Sequence, residues 1–273
     1  MQEIRINKTE DLITQFNSLP SHYIYRGHSN ADWGLQSSLE RLIGTKWCSS
    51  EVQTFENNSL ERFKAKFHLY DHTNIVPTSK LGWLSIMQHY GVPTRLVDFT
   101  ESPYVALYFA LETYQPATNA DFAVFALDYR DVIAKSIDAI KSKDPAFEET
   151  YLTIYPKQDE VFDNVVDAFS YDIVWVTEPN LHNERLDRQG GCFVISGNRD
   201  TRIADALDLP LYSPTKFYKY IIAHELYPLL FDLLRKVNVT SQSLYGDLDG
   251  LARAVRMEMQ AYASVPLTKG TSA

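Results

Sequence analysis

The stretch from residue 81 to residue 114, LGWLSIMQHYGVPTRLVDFTESPYVALYFALETY, constrains the fold more than any other part of the chain. Its first part has helical spacing and ends at Gly91 and Pro93, because glycine favours the end of a helix and proline cannot continue one. The run TRLVDFT predicts a short strand. Ser102 followed by Pro103 predicts the start of a second helix, which is apolar on nearly every side and is therefore expected to be buried.

Polar side chains are crowded between these two helices, although burying a polar group costs about 1–3 kcal/mol unless it is hydrogen-bonded. These residues are Gln88, His89, Arg95, Asp98, Thr100, Glu101 and Ser102. Two interpretations remain open at this point, a closed polar network and a ligand pocket. Ser102 caps the second helix in either case, and the capped N-terminus of a helix also favours an anion.

The rest of the chain mixes strands and helices without strict βαβ alternation, which predicts an α+β fold. Strands are expected in the runs HYIYRG, DFAVFALD, YDIVWVTEP, GCFVISGN and KFYKYIIA, and helices in NKTEDLITQFNSL, ELYPLLFDLLRKV and DLDGLARAVRMEM. A further helix, EVQTFENNSLERFKAKFHLY, is expected to pack on the core through its phenylalanines, since Phe55, Phe63 and Phe67 recur at helical spacing.

Composition limits the classes of function. With 26 basic and 35 acidic side chains the net charge is −9, which argues against broad binding of duplex DNA. Cys48 and Cys192 are far apart and match neither a disulfide framework nor a metal-ligand spacing. We find no signal peptide and no apolar run long enough for a bilayer, so we expect a cytoplasmic protein that does not enter a membrane. The DLDG and HEL motifs lack the further ligands of a calcium or zinc site, so we expect no metal.

Two further motifs bear on a site. In YIYRG, alternation places Ile24 and Arg26 on one face of a strand, and Arg26 is followed by a glycine. Arg26 either pairs with a nearby carboxylate or anchors an anion such as a diphosphate. In NERLDRQGGCFVI, Gln189 precedes a strand, and the acids before it, Glu184 and Glu178, either pair with neighbouring arginines or serve a site.

Four segments resemble the FRG domain family, which is named for an aromatic–Arg–Gly motif: YRGHSNADWGLQSSLER, SIMQHYGVPTRLVDFTESPYVALYFA, RQGGCF and SLYGDLDGLARAVR. The resemblance extends from about Tyr23 to Arg256. It implies a helical lead-in over residues 1–22, a single FRG-type α+β domain over 23–260 and a frayed tail over 261–273.

A weaker resemblance is to ADP-ribosyltransferases, which have a split mixed or antiparallel sheet flanked by helices. In that fold a strand ending in Arg or His holds NAD, a later strand ends in Ser or Thr before an A-x-x-F helix, and a third begins near Glu or Gln. Arg26–Gly27, DFTESPYVALYFA and RQGGCF occur in the same order here. The resemblance therefore implies that Arg26 contacts the diphosphate or the nicotinamide ribose, and that the Gly27 backbone contacts the carboxamide.

The same resemblance implies further roles. The Thr and Ser side chains would support Arg26 and the ribose, and a tyrosine ring would stack on the nicotinamide. The further cofactor-binding candidates are His89, Arg95, Thr100, Ser102, Tyr104 and Tyr108. The family's catalytic glutamate corresponds to Gln189, which lacks the charge that stabilises an oxocarbenium-like state. Three alternatives follow: Glu184 or Glu178 supplies that charge from the same loop, the reaction is weak, or the fold only binds. The catalytic candidates are Arg26, Gln189 and Glu184.

These implications lead to an expected function, an NAD-dependent ADP-ribosyltransferase that modifies a protein or single-stranded nucleic acid. The ADWG loop and Arg41 would border the groove for that target. The resemblance suggests the toxin of a toxin–antitoxin or phage-defence module, with an antitoxin as a possible partner. The first alternative is a module that binds a nucleotide or partner protein without catalysis. The second is a metal-dependent nuclease that uses His89 with Asp98 or Glu101.

Overall fold

A computed structural model describes residues 1–70, 76–182 and 184–264, and in these ranges seven strands form one sheet. The strands are β1 (Gln2–Ile6), β2 (Tyr23–His28), β3 (Val97–Thr100), β4 (Phe122–Asp128), β5 (Val174–Thr177), β6 (Gly191–Ser196) and β7 (Phe217–Ile222). Their order across the sheet is β1-β7-β4-β2-β3-β6-β5. β1 runs parallel to β7, and the other neighbouring pairs are antiparallel. The mixed sheet and its flanking helices agree with the predicted α+β class.

Helices surround this sheet. They are α1 (Thr9–Ser18), α2 (Ser38–Ile43), α3 (Ser49–Phe67), α4 (Lys80–His89), α5 (Pro103–Glu112), α6 (Tyr129–Lys143), α7 (Tyr151–Ile154), α8 (Gln158–Val161), α9 (Asp167–Phe169), α10 (Glu184–Arg188), α11 (Ile203–Leu207), α12 (Tyr227–Lys236), α13 (Ser241–Tyr245) and α14 (Leu248–Ala263). A π-helical turn at Phe162–Val166 joins α8 to α9. Within the described ranges, no helix combines the length and apolar character that crossing a bilayer requires.

The local signals around the central strand are confirmed. α4 ends at His89, and Gly91 follows it with a φ of 80°, a backbone conformation that glycine adopts without strain. Ser102 caps α5 by accepting a hydrogen bond from the Val105 backbone N–H, and Pro103 occupies the first helical position. The six predicted strands correspond to β2 through β7.

The N-terminal residues differ from the helical lead-in that we expect over 1–22. The predicted helix is present as α1, but Gln2–Ile6 also forms a strand at the edge of the sheet. Ile6 is buried in the core beside β7. The expected frayed tail over 261–273 lies mostly outside the described residues, and 261–263 belong to α14.

Two apolar layers cover the faces of the sheet. On one face, α1, α5, α12 and α14 pack on β2, β4 and β7, with Tyr25, Val124 and Tyr220 among the buried contacts. On the other face, Ile24 and Phe125 pack with the start of α6 and with α11. The sheet is therefore buried on both sides, and β2 and β3 lie between the two apolar layers.

α3 packs differently from the prediction. Its buried positions include Glu56, whereas Phe55 is 45% exposed. Phe63 and Phe67 do pack on a small apolar cluster around Trp83. The buried stripe is therefore rotated by one position toward Glu56, because that carboxylate has cationic partners in the interior.

Candidate functional site

A cavity opens where β2 and β3 separate. The two strands contain six and four residues, yet they pair only at Tyr25 and Thr100. Beyond that pair, β2 at Arg26 and β3 at Asp98 no longer pair with each other, although each still pairs on its other side, with β4 and β6 respectively. The cavity there has a volume of about 350 Å³, near the lower end of the roughly 300–1,000 Å³ that is usual for small-molecule sites.

Five of the predicted site residues meet at this cavity. They are Arg26, Gly27, His89, Thr100 and Gln189. β2, β3 and the start of β6 supply its floor, and α2, α4, α5 and α10 contribute side chains around it. The structure therefore places residues from all three motifs of the weaker resemblance around one space.

Arg26 is held by its neighbours and retains donor capacity. Its Nε donates to Nε2 of His28 at 3.0 Å, and its Nη1 donates to the backbone carbonyl of Asp98 at 2.6 Å. Nη1 also lies 3.7 Å from the Asp98 carboxylate. Burial, together with the nearby Arg41, lowers the pKa of Arg26, while Asp98 raises it. An arginine remains charged in proteins, and no hydrogen bond from its Nη2 is found within the described residues.

His28 orients Arg26 and was not among the predicted residues. Its Nε2 accepts from Arg26, so the ring proton belongs on Nδ1, which lies 3.4 Å from the carbonyl oxygen of Trp33. Burial and the Arg26 charge lower the pKa of His28 to about 3, which keeps the ring neutral. The strand alternation that places Arg26 on one face places His28 on the same face, and this pattern was the available sequence signal.

Gly27 is required by helix packing. A Cβ built at this position would lie 1.9 Å from the Ala106 carbonyl oxygen and 2.6 Å from the Ala110 nitrogen. α5 therefore rests directly on the backbone of β2. Gly27 lines the cavity, but the close approach that its missing side chain permits is that of a helix.

Asp98 is the one acidic residue in the part of the cavity lining that the structure describes. Gln88 donates from Nε2 to its carboxylate at 3.0 Å and to the Leu96 carbonyl at 3.2 Å. The Oε1 atom of Gln88 accepts a hydrogen bond from the Thr94 hydroxyl at 2.6 Å. Gln88 and Arg26 thus both lie against the Oδ2 atom of Asp98, Gln88 by a hydrogen bond and Arg26 at 3.7 Å. The Asp98 side chain is still 59% exposed, so it remains accessible to a ligand.

Thr100 joins the second and third motifs. Its hydroxyl donates to the Gln189 backbone carbonyl at 2.6 Å and accepts from the Ser102 backbone N–H at 3.1 Å. The Gln189 side-chain amide donates a long hydrogen bond of 3.5 Å to the Leu244 carbonyl. This geometry leaves the side-chain carbonyl of Gln189 as an acceptor at the cavity, without the charge of a glutamate.

Several predicted residues lie elsewhere. Glu184 is 91% exposed at the side chain and lies 3.7 Å from Arg188 outside the cavity. Tyr104 packs edge-on against Phe16 in the core, with ring centroids 5.8 Å apart. Ser102 acts as the helix cap. In their observed positions, Glu184 does not supply a charge to the cavity and Tyr104 does not stack on a ligand there.

Tyr108 is also in the core and not in the cavity. It is 1% exposed, and its hydroxyl donates to Glu112 at 3.1 Å and lies 2.8 Å from the Ser241 hydroxyl. The helix is apolar on nearly every side, so the sequence did not indicate which of its aromatic rings faces the cavity. Phe109 of the same helix lines the cavity in place of the predicted tyrosines.

Arg95 has a structural role in place of the predicted cofactor contact. Its Nε and Nη2 donate to the two carboxylate oxygens of Glu56 at 2.9 and 3.1 Å, and Nη2 also donates to Asp167. Lys80 bridges the same two acids at 2.9 and 2.8 Å. Burial opposes the charge on Arg95, but Glu56 and Asp167 outweigh it and raise the pKa of Arg95. The polar residues near β3 therefore divide between two structures: a closed ion-pair network around Arg95 and the lining of the cavity.

Two more arginines line the cavity. Arg41 belongs to α2 and donates to the Gln36 carbonyl at 2.9 Å. Arg185 belongs to α10, and its guanidinium carbon lies 4.9 Å from the centre of the Tyr245 ring. Burial, followed by the Arg185 charge, lowers the pKa of His89. Among the described residues, the lining thus brings three guanidinium groups against one carboxylate, which favours an anionic ligand.

The comparisons with known proteins bear on the first part of the chain. The family model of the FRG domain matches residues 21–119, which include β2, β3 and the helices from α2 to α5. No curated protein and no solved structure matches the chain. Most of the cavity lining, including Arg26, Asp98 and Thr100, lies in the matched region. Residues 21–119 of the chain therefore match the FRG domain family.

Proposed function

We propose that the cavity binds the diphosphate of NAD and that the protein transfers ADP-ribose to a macromolecule. The observation that carries this proposal is the convergence of Arg26, Arg41 and Arg185 on a cavity whose described lining contains one carboxylate. A guanidinium group presents a planar fork of donors that suits phosphate oxygens. Arg26 is the natural anchor, because His28 and Asp98 fix its orientation while Nη2 remains available.

The volume of the cavity suits part of a dinucleotide. About 350 Å³ encloses a diphosphate with one nucleoside, and the other nucleoside would extend along the open side of the cavity. Phe109 and Tyr25 offer aromatic surface at the cavity for a ring. Thr100 and Gln189 offer oxygen atoms that suit ribose hydroxyl groups.

In ADP-ribosyl transfer the bond between C1′ of the ribose and the nicotinamide nitrogen breaks, and nicotinamide leaves with the bonding electrons. A nucleophile of the acceptor then forms the new bond to C1′ and releases a proton. A carboxylate beside C1′ stabilises the positive charge that develops on the ribose. We assign this role to Asp98, because Glu184 is remote from the cavity and Gln189 is neutral. The protein or single-stranded nucleic acid acceptor, and a toxin function with an antitoxin partner, rest on the resemblance alone.

A non-enzymatic nucleotide-binding module is the second candidate. The observation that favours it is that Asp98 is already engaged by Gln88 and approached by Arg26. A carboxylate held in this way is less available to a developing charge. In this case the protein would bind NAD or another nucleotide without consuming it.

Incubation with NAD labelled in the adenylate phosphate, in the presence of cell extract, tests the proposal. We expect nicotinamide release and transfer of label by the wild type, and loss of both in Arg26→Ala and Asp98→Asn. Glu184→Gln is the control and should retain activity, since that carboxylate is exposed and outside the cavity. Binding of NAD without nicotinamide release would favour the second candidate. Absence of both would overturn the proposal.

A further inference from the structure

A second cavity has a chemistry opposite to that of the first. Its volume is about 140 Å³, and it lies beside α6 and α7 near the ends of β3 and β5. Cys192 borders both cavities. The second cavity is too small for a nucleotide and suits the head group of a side chain.

Two carboxylates give this cavity its charge, Glu101 and Glu178. No hydrogen bond or ion pair of the Glu101 carboxylate is found among the described residues. Glu178 lies 3.3 Å from Nε2 of His182, which is charged only when protonated. Burial, together with the charge of Glu101, raises the pKa of Glu178. No lysine or arginine is among the described residues that line the cavity, so two acids face it without a permanent cation.

Aromatic rings form much of the remaining wall. Tyr129 and Tyr151 lie with their ring centroids 6.3 Å apart and their hydroxyl oxygens 3.1 Å apart. Tyr155 and Trp175 complete this aromatic part of the lining. The faces of such rings attract a cation, and the attraction strengthens when the cation is removed from water.

Trp175 supplies an independent indication of a ligand. The side chain is 1% exposed, and its indole Nε1 is buried without a hydrogen-bond partner among the described residues. A buried donor without an acceptor costs free energy, so such donors are rare in folded proteins. A ligand that carries an acceptor oxygen into this cavity would satisfy the indole N–H.

We propose that this second cavity binds an organic cation, an ammonium or guanidinium group, carried by a molecule that also presents a hydrogen-bond acceptor. The cation lies between the two carboxylates and the aromatic rings, and the acceptor receives the Trp175 N–H. A basic amino acid, free or within a peptide, has both features. The site is separate from the nucleotide cavity and does not depend on the function proposed for it.

Isothermal titration calorimetry with Nα-acetyl-arginine amide tests this site, with Nα-acetyl-citrulline amide as the neutral isostere. We expect the arginine derivative to bind and the citrulline derivative to bind roughly tenfold to a hundredfold more weakly, the difference typical of a charge-assisted hydrogen bond. Butylguanidine, which keeps the cation and lacks the acceptor, should bind with intermediate affinity. If an arginine-containing peptide binds more tightly than the free derivative, the natural ligand is an arginine or lysine side chain of a macromolecule. If the free derivative binds more tightly, the natural ligand is a small molecule.

Variants distinguish binding in this cavity from non-specific attraction of a cation to an acidic protein. Glu101→Gln and Glu178→Gln should each weaken binding of the arginine derivative roughly tenfold. Glu184→Gln removes an equal charge at an exposed position outside both cavities and should leave the affinity unchanged. Glu101 is exposed, so its substitution should not prevent folding. Equal binding of the two isosteres, no binding at millimolar concentration, or equal effects of all three substitutions would overturn the proposal.

Discussion

Arg26 is oriented by one residue of its own strand, β2, and by one residue of the neighbouring strand, β3. His28, two positions later on the same face, accepts from Nε, and the gap between β2 and β3 leaves the Asp98 carbonyl for Nη1. These contacts orient the guanidinium, and the Asp98 carboxylate adds a long ion pair at 3.7 Å from Nη1. Both interpretations of Arg26 that the sequence left open therefore apply, since it contacts a nearby acid and also faces a cavity.

Gly27→Ala is predicted to destabilise the fold. The added methyl group would lie 1.9 Å from a backbone oxygen of α5, so the helix would have to move away from β2. Overpacking of this kind typically costs about 1–3 kcal/mol, and contact with backbone places this site at the upper end. Chemical denaturation of the wild type and the variant measures the change in the free energy of unfolding.

Gly34→Ala is the matched control, because a Cβ there meets no atom within 4 Å. We expect a change within about 0.5 kcal/mol for this variant. Equal stability of Gly27→Ala and the wild type would contradict the packing assigned to α5.

At the scale of elements, an interior ion-pair network ties α3, α4 and α9 to the start of β3. Arg95 and Lys80 both contact Glu56 and Asp167, and Arg199 lies 2.9 Å from Asp167. A buried ion pair adds little net stability when complete, but removal of one partner leaves an uncompensated charge. The network therefore fixes where the helices sit beside the strand that carries Asp98.

Arg95→Ala is predicted to reduce the free energy of unfolding by about 3–5 kcal/mol, because Glu56 and Asp167 lose a buried partner. Arg62→Ala, on the exposed side of α3, is the control and should change stability by less than about 0.5 kcal/mol. Denaturant titration measures both. If Arg95→Ala were as stable as the control and instead reduced only ligand affinity, Arg95 would be the ligand contact that was predicted from the sequence.

The elements that could be predicted from sequence are those with strong local patterns. β2 through β7 have alternating or continuous apolar runs, and the start of α5 has its serine and proline. β1 was missed because its residues are mostly polar and it is an edge strand, held by pairing with β7 rather than by burial. The buried side of α3 was misjudged because its central residue, Glu56, is charged, and charged residues are seldom buried unless paired.

The sequence predicted part of the site, because three motifs that follow one another in the expected order along the chain lie close together in the fold. Arg26, Thr100 and Gln189 come from three distant motifs and line one cavity. The positions of Tyr104 and Tyr108 could not be inferred, because α5 is apolar all round and gives no indication of which ring faces a ligand. Arg185 was considered only as a partner for nearby acids, since no local pattern relates α10 to the gap beside β2.

At the scale of the whole molecule, buried titrating groups predict the pH dependence of stability. Burial lowers the pKa of His28 from 6.5 to about 3. Although burial opposes it, Arg95 and Lys80 lower the pKa of Asp167 from 3.8 to about 2. Both groups bind protons more readily in the unfolded chain, so both contribute stability that is lost as the pH falls. The loss begins below about pH 6.5 through His28 and continues below about pH 4 through Asp167.

His28→Gln is predicted to reduce the dependence of stability on pH between pH 6.5 and pH 4. The amide oxygen still accepts from Arg26 but does not titrate, so the variant should lose less stability than the wild type between pH 6.5 and pH 4. Between pH 6.5 and pH 4, protonation of His28 in the unfolded chain should cost the wild type about 1.4 kcal/mol of stability for each pH unit. Thermal or chemical unfolding at a series of pH values measures the slope. Parallel profiles for wild type and variant would contradict a buried, neutral His28.

The most direct test of the proposed site is the affinity for NAD of the wild type, Arg26→Ala and Arg62→Ala, measured by isothermal titration calorimetry at one salt concentration. Arg62 provides the control because it carries the same charge on an exposed surface outside the cavity. Loss of a charge-assisted contact to phosphate typically costs about 1.5–3 kcal/mol. We therefore predict that Arg26→Ala weakens binding roughly tenfold to a hundredfold while Arg62→Ala leaves it unchanged. Failure of the wild type to bind NAD, or equal affinity in all three proteins, would contradict the role of Arg26 as the anion anchor.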